Sequence, residues 1–418
     1  MTGRELRGDD RPSVVILGGG FAGVAAAREL ANTHAFVTVV DQHPYSTFQP
    51  LLYQVATGGL NPGDVIYPLR SITARARNEK LVRGKVVGLD TATKKLTLDD
   101  DRVLDYDYLI LANGATTNYF GVPGAREHSF PLYSRGEALK LRDGVFGGLE
   151  KAVAQDPHPD FLRLVVVGGG ATGVEMAGAL AELRVAEGTA FPELTNTETS
   201  VVLIEQGPDL LTAFVPKLRR YARKQLLRRG VEVRTDTAVK EVREDGVVIG
   251  DGTFLPANVV IWAAGVAIDT TLADWGLPRG RGGRVLVDEN LEVEGLPGVY
   301  ATGDVSIAKD PSEQVPQLAQ PAIQTGRHSA IQIRRELIGQ PKLPFHYKDK
   351  GTMATIGRRA AVADIAHGPR LTGTLAWLAW LGLHIVLLLG GRNRFAALVN
   401  LAARYAAWPR SMNPIIGD

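Results

Sequence analysis

The chain alternates short apolar runs with helix-like segments, and the same pattern occurs twice. The first copy is SVVIL at residues 13–17, followed by a glycine turn and the helix-like VAAARELA. The second is LVVV at residues 164–167, followed by another glycine turn and VEMAGALAEL. A short apolar run bounded by glycines is typical of a buried strand, and strands that alternate with helices predict a parallel sheet. The pattern therefore predicts two α/β modules in one chain.

Further apolar segments follow each module at a matching distance. The segment YDYLILANGAT, which contains Gly114, is echoed by ANVVIWAAGVA, which contains Gly265. Gly18 and Gly168 are 150 residues apart, and Gly114 and Gly265 are 151 apart. Because a constant offset over two separate segments is hard to obtain by chance, it indicates a repeated module rather than two unrelated glycine turns.

The glycine turns have the spacing of a dinucleotide-binding loop. In that loop the first glycine permits a tight turn, the second lets the backbone approach a pyrophosphate, and the third lets the helix pack closely on the strand. One such motif is weak evidence, since a glycine-rich turn is often only a turn. The six glycines are Gly18, Gly20 and Gly23 in the first copy and Gly168, Gly170 and Gly173 in the second.

Each module has a second apolar strand that ends in an acid. Asp41 ends VTVVD, 18 residues after Gly23, and Glu205 ends VVLIE, 32 residues after Gly173. The first distance fits the usual spacing of about 20 residues, and the second requires a longer loop. Such acids bind ribose hydroxyls, and the Glu205 carboxylate would repel a 2′-phosphate, which favours NADH over NADPH. The alternative for each is a solvated strand end.

Composition excludes several classes of function. The length of 418 residues predicts two or three domains, and the net charge of +2 gives no sign of nucleic-acid binding. The absence of cysteine excludes disulfides, zinc–thiolate sites and redox thiols. The eight histidines show no metal-ligand spacing. The polar start MTGRELRGDDRP lacks a secretory signal, so the amino-terminal body is expected in the cytoplasm.

The carboxy-terminal region differs from the rest of the chain. Residues 371–391 hold no charged residue, and residues 394–408 have apolar positions at helical spacing, interrupted by Asn400 and Arg404. The first stretch is long enough to span a bilayer, and the alternatives are a pair of helices lying at the membrane surface, a buried hairpin or a dimer interface. Tryptophans suit the headgroup level and arginines suit anionic lipids. The tryptophans are Trp377, Trp380 and Trp408. His384 is expected to contact a helix or the interface.

These features resemble the two-dinucleotide-binding flavoproteins, with a late Gly-Asp turn in VYATGDVS. Within that group, three stretches at residues 50–70, 318–326 and 347–364 resemble type II NADH dehydrogenases, the NADH:quinone oxidoreductases that do not pump protons. The resemblance runs from about residue 12 to about residue 410. Pro321 and the final SMNPIIGD depart from the family pattern.

The resemblance implies an α/β fold with two Rossmann-like domains, the second inserted in the first, and a membrane-associating helical region. The implied segments are 12–120 and 286–345 for the FAD-binding domain, 121–285 for the NADH-binding domain and 346–418 for the membrane-anchoring region. It further implies a quinone as electron acceptor (menaquinone or ubiquinone), membrane lipids as partners of the carboxy-terminal region, a possible homodimer and a monotopic location on the cytoplasmic face of the membrane. No nucleic-acid partner is expected.

The resemblance assigns FAD to the first module and NADH to the second. The residues implied for FAD are Gly18, Gly19, Gly20, Phe21, Ala22, Gly23, Asp41, Gln42, Thr47, Val86, Gly114, Asp304, Ala322, Ile323 and Lys350. Those implied for NADH are Gly168, Gly170, Gly173, Glu205 and Gly265. Asp304 is expected on the ribityl or pyrophosphate side. Val86 is as consistent with a plain core valine, and Lys350 with a solvated loop lysine.

Two residues are candidates for the reaction itself. Pro321 is tolerated in a first helical turn, so a helix is expected to start near Gln320, with its amino terminus stabilising an anionic flavin and Gln320 reaching a quinone carbonyl. Glu175 aligns with Ala25 of the first copy, which predicts an acid in the first turn of the second helix. The resemblance implies that Glu175 positions reactants and handles protons, and its alternative is a helix-start stabiliser.

Three interpretations of the function remain open. The first is a membrane-associated NADH:quinone oxidoreductase. The second is an NADH–flavin reductase with a soluble acceptor, in which the tail is only a dimer interface. The third is a nucleotide-binding flavoprotein with slow turnover. Disulfide reductases and sulfide:quinone oxidoreductases are excluded because they need redox cysteines.

Overall fold

The computed structural model describes residues 11–154, 162–191, 194, 199–310 and 313–407. They form two compact units. The first contains residues 11–46, Tyr67–Thr116 and Val266–Asp349, and the second contains the described parts of Thr47–Ile66, Thr117–Gly265 and 350–407. The first unit differs from the predicted FAD-binding segments: it lacks residues 47–66 and 117–120, and it includes residues 266–285 and 346–349.

The first unit is built on a five-stranded parallel sheet. Its strands lie in the order Val299–Ala301, Tyr108–Leu111, Ser13–Leu17, Phe36–Asp41 and Glu79–Arg83. All five residues of SVVIL are buried, as expected for the central strand of a sheet that is covered on both faces. The predicted strands VTVVD and YLIL therefore lie on either side of the first glycine-loop strand.

Helices and a small antiparallel sheet complete the first unit. The helices are Phe21–Leu30, Arg70–Thr73 and Ala319–Leu337, and the antiparallel strands are Val86–Asp90, Lys95–Leu98 and Val103–Asp105. Two further strand pairs are Val285–Leu286 with Ser306–Ile307 and Lys309–Asp310 with Glu313–Gln314. Short 3-10 helices are Thr270–Trp275, Arg281–Gly283 and Gly303–Val305. The core between the two sheets is mostly aliphatic and also contains Tyr106, Trp275 and Phe345.

The second unit repeats the architecture with a second five-stranded parallel sheet. Its order is Phe130–Pro131, Val259–Trp262, Leu162–Val167, Thr199–Ile204 and Val231–Arg234. The helices Arg135–Ala154, Ala171–Ala190 and Pro216–Arg228 accompany it, together with the short helices Leu52–Ala56 and Ala125–His128. An antiparallel sheet consists of Val239–Arg243, Gly246–Ile249 and Phe254–Pro256. The prediction of two Rossmann-like modules is confirmed.

The carboxy-terminal region belongs to the second unit. It begins with the antiparallel strands Thr352–Gly357, Ala360–Asp364 and Arg370–Thr372, and continues with the helices Gly373–Leu387 and Gly391–Ala407. The 3-10 helices Gln49–Leu51 and Pro62–Val65 also lie in this unit. The short strands Tyr45–Thr47, Ile66–Pro68, Thr116–Thr117 and Val266–Ala267 lie where the chain passes from one unit to the other.

The predicted uncharged stretch, residues 371–391, ends at a break between the two carboxy-terminal helices. The helix Gly373–Leu387 has 15 residues, and the chain then turns at Gly390, whose φ is +82°. Within the described ranges, no helix combines the length and the apolar character that crossing a bilayer requires. The two helices instead pack on the strands that precede them and on residues 47–66 of the same unit.

Candidate functional site

The first glycine loop joins strand Ser13–Leu17 to helix Phe21–Leu30. Gly18 has a φ of +105°, and a Cβ atom at this position would lie 2.4 Å from the carbonyl oxygen of Ala112. A Cβ at Gly23 would lie 1.8 Å from the carbonyl oxygen of Gly18. At Gly20, by contrast, an added Cβ would meet nothing within 4 Å. The loop therefore has no room for a side chain at its first and third glycines, and it has open space at the second.

The second glycine loop has the same geometry. Gly168 has a φ of +114°, and a Cβ there would lie 2.5 Å from the carbonyl oxygen of Ala263. A Cβ at Gly173 would lie 1.8 Å from the carbonyl oxygen of Gly168, and one at Gly170 would meet nothing within 4 Å. Two loops with matching clearances form two separate places where a diphosphate can approach the backbone at a helix amino terminus.

The acids at the strand ends brace these loops. Asp41 accepts the backbone N–H of Gly19 at 2.6 Å and that of His43 at 2.7 Å. Glu205 accepts the N–H of Gly169 at 2.5 Å and that of Gly207 at 2.6 Å. A carboxylate has about four acceptor positions, so each acid retains capacity for ribose hydroxyls. Burial raises the pKa of Asp41 despite these bonds.

Helix Ala319–Leu337 brings a third element to the first glycine loop. It starts one residue before Gln320, so the predicted helix start is confirmed. A Cβ at Gly326 would lie 2.2 Å from the carbonyl oxygen of Ala22, which shows how closely this helix packs on helix Phe21–Leu30. Ala322 packs against the turn at Gly303, since a Cβ at Gly303 would lie 3.3 Å from the Cβ of Ala322.

The predicted quinone-contacting helix start contains two glutamines with different surroundings. Gln324 donates to the carbonyl of Lys348 at 2.9 Å and accepts the Lys348 N–H at 2.9 Å, so it holds the 345–349 segment. The side chain of Gln320 is half-buried and makes no hydrogen bond to the described residues. Pro321 and Ala322 are buried and Ile323 is half-buried. Gln320 is therefore the glutamine of this turn that can bind a ligand.

Buried polar atoms in the first unit fit a bound polar cofactor. Asn113 Oδ1 and Arg284 Nε are buried and have no hydrogen-bond partner among the described residues. Asn113 lies beside the glycine loop, since a Cβ at Gly18 would be 3.0 Å from its Cα. Burial lowers the pKa of Arg284, and Asp304 opposes this effect electrostatically. Unpaired buried polar atoms are rare in native proteins, so each of these two atoms is a candidate partner for a bound polar ligand.

Glu175 lies in the second unit, on helix Ala171–Ala190. The expectation of an acid in the first helical turn is wrong, because the helix begins at Ala171 and Glu175 is its fifth residue. Its side chain is 8% exposed. The helix packs against strand Thr352–Gly357, where a Cβ at Gly178 would lie 2.2 Å from the carbonyl oxygen of Ile356. This packing, rather than the helix dipole, sets the environment of the carboxyl group.

Burial raises the pKa of Glu175 to about 8. The backbone N–H of Thr355 donates to its Oε1 at 3.2 Å, and this bond and the Trp380 indole oppose the shift. Tyr53 is 3% exposed, and burial raises its pKa strongly, with a further contribution from Glu175. Near pH 7 the carboxyl therefore carries a proton in an otherwise apolar and aromatic setting.

The carboxy-terminal region contributes to this setting through helix Gly373–Leu387. Trp380 is 1% exposed and lies with its ring centre 6.2 Å from that of Tyr53. The ring of His384 stacks on Trp380 at 4.1 Å, and His384 Nδ1 lies 2.7 Å from the Trp380 carbonyl oxygen. Both contacts lie within the histidine's own helix, so the expected contact of His384 with another helix or with the interface stays a prediction. Burial lowers the pKa of His384 to about 4, so the ring is neutral at pH 7.

Two tryptophans and one arginine of the tail do not lie where they were expected. Trp377 and Trp380 are buried rather than placed for lipid headgroups, and Trp408 lies outside the described residues. Arg404 is 5% exposed and donates to Gln54 Oε1 at 2.6 Å. These side chains face the protein because the two helices pack on the strands before them and on residues 47–66.

The other predicted site residues have varied exposures. Val86 is buried in the aliphatic core of the first unit, and Thr47 is half-buried. Gln42 and Lys350 are exposed. The remaining residues predicted for the loops are Gly19, Phe21 and Ala22 at the first loop, and Gly114 and Gly265, which have positive φ angles of 68° and 158° and follow buried strands.

Sequence reasoning missed Tyr53, Thr355, Trp380 and Arg284. Tyr53 lies in the stretch 50–70 and Thr355 in the stretch 347–364, both of which resemble the family. The resemblance therefore indicated the two stretches but not these two residues. Trp380 stands out in the sequence only as a tryptophan of the tail. Arg284 has no sequence signal, because its importance comes from being buried near Asp304.

Comparison with known proteins gives a consistent result. A family model described as pyridine nucleotide-disulphide oxidoreductase matches residues 12–326. The type II NADH:quinone oxidoreductase NdhA of Mycobacterium tuberculosis is 38% identical, over 93% of this chain and 86% of the relative. The enzyme Ndh of the same organism is 35% identical, over 96% of this chain and 89% of the relative.

A solved structure supports the fold. NDH2 from Plasmodium falciparum in complex with NADH has a TM-score of 0.88 and 22% identity, covering 97% of this chain and all of that one. At this identity the likeness concerns the fold alone. The resemblance predicted from the sequence is confirmed by the more similar relatives, and the chain belongs to the type II NADH:quinone oxidoreductases, within the pyridine nucleotide-disulphide oxidoreductase family.

Proposed function

We propose that this protein oxidises NADH and reduces a membrane quinone through bound FAD, without pumping protons. The observation that carries the proposal is the pair of glycine loops with the same clearances, one in each unit of a chain that has no cysteine. Two dinucleotides and no redox thiol leave a quinone or another small acceptor as the destination of the electrons. The relatives named above are NADH:quinone oxidoreductases.

The first unit would hold FAD. The open backbone at Gly20 suits the pyrophosphate, Asp41 suits the ribose, and the buried Asn113 and Arg284 supply the polar atoms that a ligand would satisfy. When bound, FAD accepts a hydride equivalent and releases its electrons to an acceptor, and the protein contributes orientation and electrostatics. The amino terminus of helix Ala319–Leu337 suits the negative charge of a reduced flavin.

The second unit would hold NADH. Gly170 leaves room for its pyrophosphate, and Glu205 lies at the end of the adjacent strand, where its carboxylate disfavours a 2′-phosphate. Electrons therefore enter from NADH in preference to NADPH.

Reduction of a quinone to a quinol needs two protons as well as two electrons. Glu175 holds a proton near pH 7 because burial raises its pKa to about 8. A group with a pKa near the working pH both donates and recovers a proton efficiently. We assign Glu175 to proton handling and Gln320 to contact with a quinone carbonyl.

The carboxy-terminal helices would dock on the membrane. Helix Gly391–Ala407 uses polar side chains to attach to its own unit: Asn393 donates to the Ile66 carbonyl at 2.5 Å and Asn400 to Asp64 Oδ2 at 2.7 Å. Its opposite side exposes Phe395 and Leu398. An outward apolar side suits monotopic attachment to the cytoplasmic face, where a quinone is available. Formation of a homodimer and the choice between menaquinone and ubiquinone stay predictions.

Anaerobic stopped-flow absorbance of the FAD-loaded protein tests the function. NADH is expected to bleach the flavin band rapidly, and a short-chain quinone is expected to restore it rapidly. Bleaching without recovery would indicate a soluble acceptor, and no bleaching would indicate that the second loop binds something other than reactive NADH. Gly170→Ala is the matched control, since it should slow bleaching by NADH while leaving FAD bound.

A further inference from the structure

Four of the eight residues that line a cavity of about 500 Å³ in the second unit are arginines. Neither Glu175 nor any residue of the two glycine loops lines it. The lining residues are Ala181, Glu182, Arg184, Arg228, Arg229, Gly230, Arg358 and Tyr405. Four guanidinium groups against one carboxyl group give the cavity a positive excess that neither NADH oxidation nor FAD binding explains.

Two of the arginines are fixed in place by backbone carbonyls. Arg184 donates to the carbonyl of Arg229 at 3.1 Å and to that of Gly230 at 3.4 Å. Arg229 donates to Gln225 Oε1 at 3.0 Å and to the carbonyl of Arg358 at 3.1 Å. Each guanidinium has five N–H donors, so these bonds orient the groups and leave donors for a ligand.

The other two arginines lie at the rim. Arg228 and Arg358 are exposed, and the side chain of neither makes a hydrogen bond or ion pair within the part of the chain that the structure describes. Glu182, which lines the cavity, is engaged by the backbone N–H of Arg358. The rim therefore presents two cations whose charge no described carboxylate neutralises by contact.

A guanidinium group matches the geometry of a phosphate and binds it through paired N–H donors. Tyr405, on helix Gly391–Ala407, forms part of the wall, and the same helix exposes Phe395 and Leu398 on its outer side. We propose that this cavity binds the phosphate of an anionic phospholipid headgroup. The inference rests on the proposed membrane docking, because docking brings lipid phosphates to this helix.

Vesicle co-sedimentation of the full-length, FAD-loaded protein tests the proposal. Phosphatidylcholine vesicles are compared with vesicles that also contain phosphatidylglycerol. Wild-type protein is expected to partition roughly tenfold more strongly onto the anionic vesicles, since polybasic contacts strengthen binding to anionic lipid. The double variant Arg228→Gln, Arg358→Gln should lose most of this gain and keep its binding to neutral vesicles.

A charge-matched control separates the cavity from general attraction. Arg220 and Arg223 are exposed on the same helix as Arg228 but do not line the cavity, so Arg220→Gln, Arg223→Gln should retain the gain. Equal loss in both double variants would overturn the proposal, because diffuse electrostatics would then explain the binding.

Two further measurements distinguish the sources of phosphate and the two proposals. Thermal stabilisation by monomeric short-chain phosphatidylglycerol is expected to exceed that by inorganic phosphate, and the reverse would overturn a lipid site. Absence of binding to every vesicle would overturn the lipid site together with membrane docking. Reduction of a short-chain quinone in detergent reports on the proposed activity separately, since it needs no vesicle.

Discussion

Gly20 and Gly23 are three residues apart and differ in what a methyl group would meet. Gly20→Ala adds a Cβ to open space at a φ of −78°, which any residue adopts. Gly23→Ala drives a Cβ into the Gly18 carbonyl. We expect Gly20→Ala to keep the thermal stability of the FAD-free protein and to weaken FAD binding about tenfold or more, equivalent to about 1.4 kcal/mol.

Gly23→Ala is the partner variant and should lower the stability itself, by about 2 kcal/mol or more, since the helix must shift from its strand. Thermal unfolding and titration of FAD by fluorescence measure the two effects. If both variants lost stability equally, the distinction between a packing glycine and a ligand-facing glycine would fail.

The buried carboxyl of Glu175 makes stability depend on pH. Its pKa is about 8 in the folded protein and 4.5 when exposed, so the folded protein binds more protons between these values. Stability therefore falls as the pH rises from about 4.5 to about 8, by up to about 5 kcal/mol for the full shift. Glu175→Gln should remove this part of the dependence, as thermal midpoints from pH 5 to pH 9 would show.

The exposed Glu127 supplies the control. Glu127→Gln should follow the wild-type pH profile, while the profile of Glu175→Gln flattens between about pH 5 and pH 8. Profiles of all three proteins that stay parallel would contradict a protonated carboxyl at Glu175.

Glu175→Gln should also separate turnover from cofactor binding. Glutamine keeps the shape and the hydrogen-bond acceptor but cannot exchange a proton, so quinone reduction should slow by roughly a hundredfold, within the range attributed to general acid–base groups. FAD retention, measured after gel filtration, should change little. An equal loss of both would assign Glu175 to the structure of its unit instead.

At the scale of elements, helix Gly391–Ala407 buries the polar side chain of Arg404 together with Ala397 and Leu401. On its outer side it exposes large apolar side chains, Phe395 and Leu398 among them. Arg404 donates to Gln54 Oε1 at 2.6 Å and to Thr57 Oγ1 at 3.4 Å, and it packs against Gly59, where a Cβ would lie 1.5 Å from its Nη1. Helix Leu52–Ala56, which carries Tyr53, is thereby tied to the carboxy-terminal helix.

Arg404→Met should loosen that tie. Methionine fills similar space but leaves Gln54 Oε1 buried without a donor, at a cost of about 1–3 kcal/mol. We expect a lower thermal midpoint and faster proteolysis in helix Gly391–Ala407. Gly59→Ala should have a similar effect because its methyl group displaces the guanidinium. The exposed Arg392 is the control, and Arg392→Met should behave as wild type; an equal effect there would refute a specific role for Arg404.

At the scale of the whole molecule, exposed large apolar side chains are concentrated on the two carboxy-terminal helices. The most exposed of them on these helices are Phe395 at 70%, Leu375 at 68% and Val386 at 63%. An apolar patch of this kind marks an interaction surface. Phe395→Ser with Val386→Ser should lower binding to neutral vesicles by roughly tenfold or more, since membrane affinity scales with buried apolar area. The thermal midpoint should change little because both side chains are already exposed.

Leu227 and Ile338 are also exposed, at 51% and 68%, and lie outside those helices. Leu227→Ser with Ile338→Ser should leave vesicle binding unchanged. Loss of binding in this control would point to general surface hydrophobicity. Unchanged binding in the first double variant would exclude the carboxy-terminal helices as the membrane-docking surface.

The sequence by itself determined the two modules, their order and the start of helix Ala319–Leu337. These follow from local chemistry: apolar runs make strands, closely spaced glycines permit the loop, and Pro321 is confined to a first helical turn. The constant offset between the copies indicated the duplication from the sequence alone. The absence of cysteine likewise excluded mechanisms that need a redox thiol.

Tertiary structure alone decided the surroundings of Glu175 and the direction of the tail. Glu175 owes its raised pKa to burial, which the bonds from Thr355 and Trp380 only partly oppose. Tyr53, Thr355 and Trp380 lie far apart in sequence and reach Glu175 only by packing. The sequence placed Asn400 and Arg404 among apolar positions at helical spacing, but it did not show which side of the helix faces inward. The side that carries Arg404 faces inward because Gln54 and Thr57 supply hydrogen-bond acceptors there. A buried guanidinium group is tolerated only where such acceptors are present.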